Sequence, residues 1–193
     1  MPNLEALRDQ PCLTAENVRL VQLDQRHLDG LWQSLRDPEV IRLTGTHATF
    51  TREYVAERLA AWPGAAHRAD WAVTAVEDGR FLGDAALNEL DEANESMSFR
   101  IALSGPAEFG KGYGTEATRL VLDFAFDTVG LHRVALEVFA HNPRARRVYE
   151  KCGFVAEGVL REALYWEGER HDVLVMSVLA SDHRLRWSGG QER

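Results

Sequence analysis

The stretch from Phe109 to Phe154 constrains the fold of this chain more than any other part of the sequence. It begins with a glycine-rich turn, G-K-G-Y-G-T at residues 110–115, which leads directly into a segment of helical period. The first N–H groups of a helix lack intrahelical acceptors, and glycine lets the backbone come close to a bound anion. The turn therefore predicts a binding site for a phosphorylated group.

The remainder of this stretch carries its own start and stop signals. An apolar strand over residues 133–140 follows the first helix. Asn142 is a favourable N-cap, Pro143 suits the first helical position, and Gly153 suits a left-handed C-terminal position. These signals predict a second helix over about 143–152. The apolar stripe that would pack the first helix on a sheet comprises Ala117, Leu120, Val121, Phe124 and Ala125.

The hydrophobic periods of the other segments predict an α+β fold. Helical spacing marks residues 25–36 and 51–62, and Thr51 is a good N-cap for the second of these helices. Asp78-Gly79 predicts a hairpin turn. Because no α/β alternation precedes the glycine turn, we expect a mixed, mostly antiparallel sheet of about six to seven strands with about four helices. The predicted strands cover residues 18–23, 71–76, 80–90, 97–103, 133–140, 154–165 and 170–179, and residues 43–47 are interpreted as a connector or a ligand contact.

The 193 residues suffice for one domain with a full core, and no linker is evident. We expect a single domain over 1–193, with its core at about 18–179 and extensions at 1–15 and 181–193. The chain has no apolar stretch long enough for a membrane span and no signal-peptide pattern, which predicts a cytoplasmic protein without a membrane partner. Cys12 and Cys152 lack the spacing of a disulfide framework or a metal site, so no metal is expected.

The charge balance restricts the class of partner. The formal net charge is −8. Sequence-independent binding to nucleic acid requires clustered Lys and Arg that replace counterions, so a nucleic-acid partner is not expected. A cationic substrate is compatible with this balance.

The glycine turn differs from two known nucleotide-binding loops. A Walker A loop requires Lys followed by Ser or Thr, whereas Lys111 is followed by Gly112. A dinucleotide fingerprint requires a wider glycine spacing and a place at the start of a βαβ series. Glu137 does lie where that fold has its ribose-binding acid, although in an apolar strand it could equally face solvent. An NAD(P)-dependent oxidoreductase stays an alternative that a cofactor titration would test.

The same residues resemble the GNAT superfamily of acyl-CoA-dependent N-acetyltransferases, in particular the bacterial branch with the ribosomal-protein and polyamine acetyltransferases. The pyrophosphate loop of that superfamily is Gln or Arg, two residues, Gly, one residue, then Gly or Ala, which Gly112 and Gly114 match. Phe109 departs from the usual polar residue at the first position. The segment from Asn142 to Phe154 matches the family's Asn…Tyr…Gly-Phe pattern. The resemblance extends from about Val18 to Leu179.

The resemblance implies the GNAT fold and acetyl-CoA as co-substrate, without a metal. It implies that the backbone N–H groups of residues 110–115 hold the pyrophosphate, that Asn142 contacts the pantetheine arm, and that a backbone N–H near Leu103 holds the carbonyl oxygen. The residues implied to bind the cofactor are Leu103, Phe109, Gly110, Lys111, Gly112, Tyr113, Gly114, Thr115, Asn142 and Tyr149.

The resemblance also implies a general acid. Tyr149 occupies the position at which the family's tyrosine reaches the sulfur of the cofactor and protonates the departing thiolate. Without the motif, its spacing from Ala145 and Cys152 would favour a core tyrosine. Relatives in the ribosomal-protein branch often have a serine acid where this chain has Ala145, so the acid role is assigned to Tyr149.

The general base is less well defined by the sequence. The usual family position aligns with Ser98, which cannot act as a base at neutral pH. Glu89 matches an acidic residue of the polyamine branch and is predicted to be the base, with an exposed strand position as the alternative. Asp91 or Glu92 could substitute for it.

The predicted activity is direct transfer of an acetyl group to a primary amine. The acceptor classes left open are a protein N-terminus, a polyamine and a small-molecule amine, and a homodimer is a further expectation. The alternative is an acyl-CoA-binding regulatory protein with weak or no activity, which Phe109, Ala145 and Ser98 favour.

Overall fold

The structure, a computed structural model, describes residues 1–183 and is built on one eight-stranded sheet. All neighbouring strands are antiparallel except β5 and β6, which run parallel. This confirms the predicted mixed, mostly antiparallel sheet, with one strand more than the upper prediction. In spatial order β1-β2-β3-β4-β5-β6-β8-β7, the strands are β1 Leu13–Thr14, β2 Val18–Gln22, β3 Ala69–Ala75, β4 Phe81–Asp91, β5 Ser96–Leu103, β6 Arg133–Phe139, β8 Glu169–Leu179 and β7 Val155–Trp166.

Seven helices lie within residues 1–183, where about four were predicted. They cover both faces of the sheet, and the fifth continues as a π-helix over Phe124–Val129. Their bounds are α1 Leu4–Asp9, α2 Leu28–Ser34, α3 Pro38–Thr44, α4 Arg52–Ala61, α5 Tyr113–Asp123, α6 Pro143–Cys152 and a last helical turn at 180–183.

Helix α3 lies between the two predicted helices, where the sequence analysis assigned none, and takes in Leu43 and Thr44 of the predicted connector, which is a correction to the sequence-based interpretation. Asp37-Pro38 does end the preceding helix, but the same pair also starts the next one. The Asp37 carboxylate accepts hydrogen bonds from the N–H groups of Glu39 and Val40, and Pro38 occupies the first turn. An N-cap followed by Pro is a strong start signal, which the stop interpretation overlooked.

Helix α1 lies in the segment predicted to be an extension. Asn3 caps it by accepting a hydrogen bond from the Ala6 N–H, and the Asn3 N–H donates to the carbonyl of Val129 at 2.7 Å. Leu7 is fully buried against the main core. The N-terminal segment is therefore docked on the face of the sheet that α5 and α6 cover. The predicted C-terminal extension from 181 lies almost entirely outside the described residues, and the single-domain and homodimer expectations stay predictions.

The predicted signals around α6 are confirmed. The Asn142 carboxamide oxygen accepts a hydrogen bond from the Ala145 N–H at 3.1 Å, and Pro143 occupies the first helical position. Gly153 ends the helix in the left-handed region, with φ of 105°. These local contacts orient α6 with Tyr149 and Cys152 facing the core.

A gap in the sheet positions the site. The parallel pairing of β5 with β6 covers only three residue pairs and stops at Ser98 and Ala135. Beyond it, β5 continues beside β4 and β6 continues beside β8, so the two strands diverge. Helices α1, α5 and α6 pack on one face of the sheet, and α2 and α4 pack on the other through a second apolar cluster. The gap therefore connects the two faces. None of the helices in the described part of the chain is long and apolar enough to cross a membrane.

Candidate active site

A cleft of about 750 Å³ follows the gap between β5 and β6. On the side of α5 and α6 it is lined by the glycine turn, by the β5 end at 101–103 and by Tyr149. On the opposite side it is lined by α2, α3, α4 and the loop between α3 and α4. We name this second side the acceptor wall and define it by the apolar and aromatic side chains of Leu31, Leu35, Leu43, Phe50, Tyr54 and Trp62.

The glycine turn presents a row of unused backbone donors to the cleft. Within the described residues, the N–H groups of residues 110–114 have no hydrogen-bond acceptor. Gly110 and Gly112 have φ of 76° and 89°, a region in which other residues are strained. The donors at the start of α5 also lie at the positive end of its dipole. This arrangement suits a phosphate or pyrophosphate anion.

The N–H of Thr115 is a correction to the predicted donor set. It donates to the carbonyl of Gly112 at 2.9 Å, as does the N–H of Glu116 at 3.1 Å. A backbone N–H has one hydrogen to donate, so neither group is left for an anion. The available donors therefore span 110–114 rather than 110–115.

Replacement of Gly112 by alanine is expected to weaken CoA binding about tenfold, because the backbone relaxes away from a left-handed conformation that costs alanine roughly 1–2 kcal/mol and thereby shifts the donors. Gly168, in the turn between β7 and β8, is a matched control. It has the same φ of 89°, and a Cβ added at either glycine would meet no atom within 4 Å. We expect Gly168→Ala to lower the melting temperature similarly and to leave CoA affinity unchanged. Calorimetric titration of both variants makes the comparison, and an equal loss of affinity in both would contradict the assignment.

The cations near the glycine turn differ in whether they pair with a carboxylate and whether they line the cleft. The Arg144 guanidinium lies 3.8 Å from the centroid of the Phe109 ring, forms no ion pair within residues 1–183, and lines the cleft. Arg147 and Lys151 of α6 line the cleft as well. The Lys111 ammonium instead lies 3.5 Å from a carboxylate oxygen of Glu108 and does not line the cleft. The unpaired positive charge that lines the cleft near the turn therefore comes from α6, and the sequence analysis did not identify it.

The end of β5 directs a backbone donor into the gap. The N–H of Ser104 donates to the carbonyl of Leu82 in β4 at 2.8 Å. Because successive N–H groups of a strand point to opposite sides, the Leu103 N–H points away from β4 and towards the gap. This orientation is compatible with the predicted contact of Leu103 to a ligand carbonyl.

Tyr149 is 6% exposed and its side chain lines the cleft. Its ring packs edge-on against Phe99 and Phe154, with centroid distances of 6.4 and 5.7 Å. Within residues 1–183, no group hydrogen-bonds to its hydroxyl. Burial raises the pKa of Tyr149 well above its usual range, so the hydroxyl keeps its proton at neutral pH.

Asn142 lines the cleft but is largely committed to the protein. Besides capping α6, its amide nitrogen donates to the carbonyl of Leu43 at 3.4 Å and so joins α6 to the end of α3. An amide nitrogen carries two hydrogens, and one of them is left for a ligand.

The comparison with known proteins identifies the family. Residues 17–155 match the family model of the acetyltransferase (GNAT) domain. The chain belongs to this GNAT acetyltransferase family. The predicted resemblance is thereby confirmed.

Two curated relatives represent the polyamine and ribosomal-protein branches that the sequence resembles. The spermidine N(1)-acetyltransferase of Vibrio cholerae is 36% identical over 113 residues, which are 58% of this chain and 65% of that protein. The putative ribosomal N-acetyltransferase YdaF of Bacillus subtilis is 34% identical over 112 residues, or 58% of each chain. The chain thus spans 58% to 65% of the length of these relatives.

Solved structures share the whole architecture of this GNAT domain. The spermidine N-acetyltransferase of Vibrio cholerae, in complex with CoA and spermine, superposes with a TM-score of 0.79 and 25% identity over 86% of this chain and 98% of that chain. A GNAT-family acetyltransferase of Bacillus anthracis has a TM-score of 0.75 at 19% identity, over 89% and 99% of the two chains. The second comparison supports the fold alone.

Glu89, the base predicted from the sequence, lies outside the cleft. It lies in a bulge where the register of β4 and β5 shifts between Asn88 and Asp91, and its φ is 53°. Its exposed carboxylate accepts a hydrogen bond from the Ser98 hydroxyl at 2.6 Å and does not line the cleft of this GNAT domain. The alternative candidates at 91 and 92 do not line it either.

Three other carboxylates do line the cleft. Asp84 pairs with Arg100 at 2.7 Å. Glu108 pairs with Arg80 at 2.5 Å, and this hydrogen bond lowers the pKa of the Glu108 carboxyl. Glu137 of β6 is exposed to the cleft and forms no ion pair within residues 1–183. In the sequence analysis, Glu137 is considered only as the ribose-binding acid of a dinucleotide-binding fold.

A group of potential metal ligands lies elsewhere. Among the described residues, Asp123, Asp127 and His183 have ligand atoms within 4.8 Å of one another, and none of the three lines the cleft. Neither cysteine takes part in a disulfide. Cys152 is buried, with its sulfur 3.7 Å from the carbonyl oxygen of Thr115.

Proposed function

We propose that this protein is an acetyl-CoA-dependent N-acetyltransferase that transfers the acetyl group directly to a primary amine. The observation that carries the proposal is the cleft itself, which joins the unused donors of residues 110–114 to the Tyr149 side chain through the gap in the sheet. Membership of the GNAT family and the CoA complex of the Vibrio cholerae structure support it.

The residues present fit a CoA molecule. The N–H groups of 110–114 would hold the pyrophosphate, and Arg144, Arg147 and Lys151 would supply positive charge for phosphate oxygens. When bound, acetyl-CoA supplies a thioester carbonyl, at which the C–N bond to the amine forms and the C–S bond breaks. The Leu103 N–H, directed at the gap, would stabilise the carbonyl oxygen.

Glu137 replaces Glu89 as the proposed general base. A base for an ammonium must be negatively charged at neutral pH and must reach the cleft directly or through one water. Asp84 and Glu108 are engaged by arginines, so proton transfer to either would break an ion pair. Glu137 has no such competing cation within the described residues and lies on β6 at the gap.

Tyr149 is the proposed general acid. Its raised pKa keeps the phenolic proton in place, and the apolar rings around it leave no competing acceptor. A thiolate released in the cleft would take this proton, and the proton that the amine loses to Glu137 would return to solvent. The two residues thus divide the proton transfers between them.

The experiment that tests the proposal is acetyl transfer to a panel of primary amines. Release of the CoA thiol together with a mass increase of one acetyl group on an amine is the expected result. Calorimetric binding of acetyl-CoA without transfer to any amine would favour the regulatory alternative. Absence of CoA binding would contradict both.

A further inference from the structure

The acceptor wall is apolar and aromatic, and the other side chains that line the cleft on this side include Ser34, Thr44, Thr46 and Arg58. Its six defining side chains come from α2, α3, α4 and the loop before α4. Phe50 and Tyr54 stack in parallel with ring centroids 5.5 Å apart, and Trp62 lines the cleft as well. Such a surface binds ligands by burying apolar area rather than by hydrogen bonds.

The charged groups beneath this wall are already neutralised. Arg100 lies 2.7 Å from Asp84 and 3.7 Å from Asp70. Asp70 is also held by Arg68 at 2.5 Å, so two carboxylates and two guanidinium groups form one chain of ion pairs. This leaves Glu137 as the one cleft-lining carboxylate in residues 1–183 that no cation pairs. The cleft can therefore pair one ammonium group of a ligand with a free carboxylate.

The wall also carries a positive charge. The Arg58 guanidinium lies 5.0 Å from the centroid of the Tyr54 ring and lines the cleft. It forms no ion pair with any carboxylate of the described residues. A second ammonium on a ligand would meet this cation, the apolar side chains or the uncharged hydroxyls of Ser34, Thr44 and Thr46, and none of these supplies a compensating negative charge.

From these observations we infer that the acceptor is a primary amine carried on an apolar body, aromatic or aliphatic, and not a polyamine. The inference rests on the proposed acetyltransferase function and names its substrate class. The reactive ammonium pairs with Glu137, and the body lies on the acceptor wall. The chain would then differ in substrate from the spermidine N(1)-acetyltransferase it resembles.

Hexylamine and 1,6-diaminohexane form a matched pair, because they differ only in the second ammonium, which is charged at neutral pH. We expect kcat/KM for acetylation to favour hexylamine by at least about tenfold, and 2-phenylethylamine to be used at least as well as hexylamine. A preference for 1,6-diaminohexane or for spermidine overturns the inference and leaves the acetyltransferase proposal intact.

The charge of Arg58 provides a second test. Arg58→Glu should raise kcat/KM for 1,6-diaminohexane relative to hexylamine by about fivefold, since the wall then attracts the second ammonium. Arg161→Glu, at an exposed position of β7 outside the cleft, makes the same change in net charge and should leave the ratio unchanged. An equal change in both variants would show a long-range charge effect and would contradict the role of the wall.

Binding keeps the inference testable if acetyl transfer fails. Calorimetric titration of CoA-saturated protein with the two amines measures their affinity for the acceptor site without turnover. Tighter binding of hexylamine supports the apolar site, and tighter or equal binding of 1,6-diaminohexane overturns it. A lack of turnover with such binding would count against the proposed function alone.

Discussion

Tyr149→Phe is expected to lower kcat for acetyl transfer by about a hundredfold or more, while CoA affinity stays unchanged. The variant removes one oxygen from a buried ring whose packing against Phe99 and Phe154 is kept. Without the phenol, the thiolate must leave unprotonated or take its proton from solvent. Steady-state kinetics and calorimetric titration with CoA separate the loss of turnover from a loss of binding.

The pH dependence supplies a further check on the same residue. Because burial raises the pKa of Tyr149, its hydroxyl is protonated throughout the neutral and mildly alkaline range, and the wild-type rate should show no decline there from loss of this proton. Tyr165→Phe is the matched control, since Tyr165 is 55% exposed on β7, away from the cleft. Unchanged turnover in Tyr149→Phe, or an equal loss in both variants, would contradict the acid role.

Glu137→Gln is expected to lower kcat/KM near pH 7 by about a hundredfold, because the amide cannot accept the proton of the ammonium. The loss should shrink as the pH rises towards about 10, where free amine is abundant and needs no base. Recovery at high pH distinguishes a base from a residue that only shapes the cleft. The measurement is kcat/KM against pH for variant and wild type with one amine.

Glu89→Gln is the control for this prediction. Both residues are exposed glutamates on strands, but only Glu137 lines the cleft. We expect Glu89→Gln to keep the wild-type pH profile, apart from a small loss of stability when the hydrogen bond from Ser98 is weakened. A profile altered in Glu89→Gln and normal in Glu137→Gln would restore the assignment made from the sequence.

The local signals of the stretch from 109 to 154 were readable because each acts over a few residues. A capping side chain, a Pro at the first helical position and a glycine with positive φ determine a helix end without reference to the rest of the chain. Asn142 and Gly153 accordingly bound α6 where the sequence predicts, and Gly112 begins α5. Helix α3 was missed although Asp37 carries such a signal, because Pro38 was interpreted only as a stop.

The sequence could not predict which of Glu89 and Glu137 lines the cleft. Strand alternation predicts a face only while the register is unbroken, and the bulge after Asn88 turns Glu89 out of line. The motif spacing also says nothing about which carboxylates are neutralised by arginines. Asp84 pairs with Arg100, which lies sixteen positions later in the chain, on the neighbouring strand β5.

The sequence by itself determined the family, the mixed sheet, the glycine turn before α5 and the position of Tyr149 on α6, because these depend on short motifs and on hydrophobic period. Only the tertiary structure decided that β5 and β6 separate after Ser98 and Ala135, and therefore which side chains meet in the cleft. That separation results from pairing between strands far apart in the chain. It brings the glycine turn, Tyr149, Glu137 and the acceptor wall to one cleft.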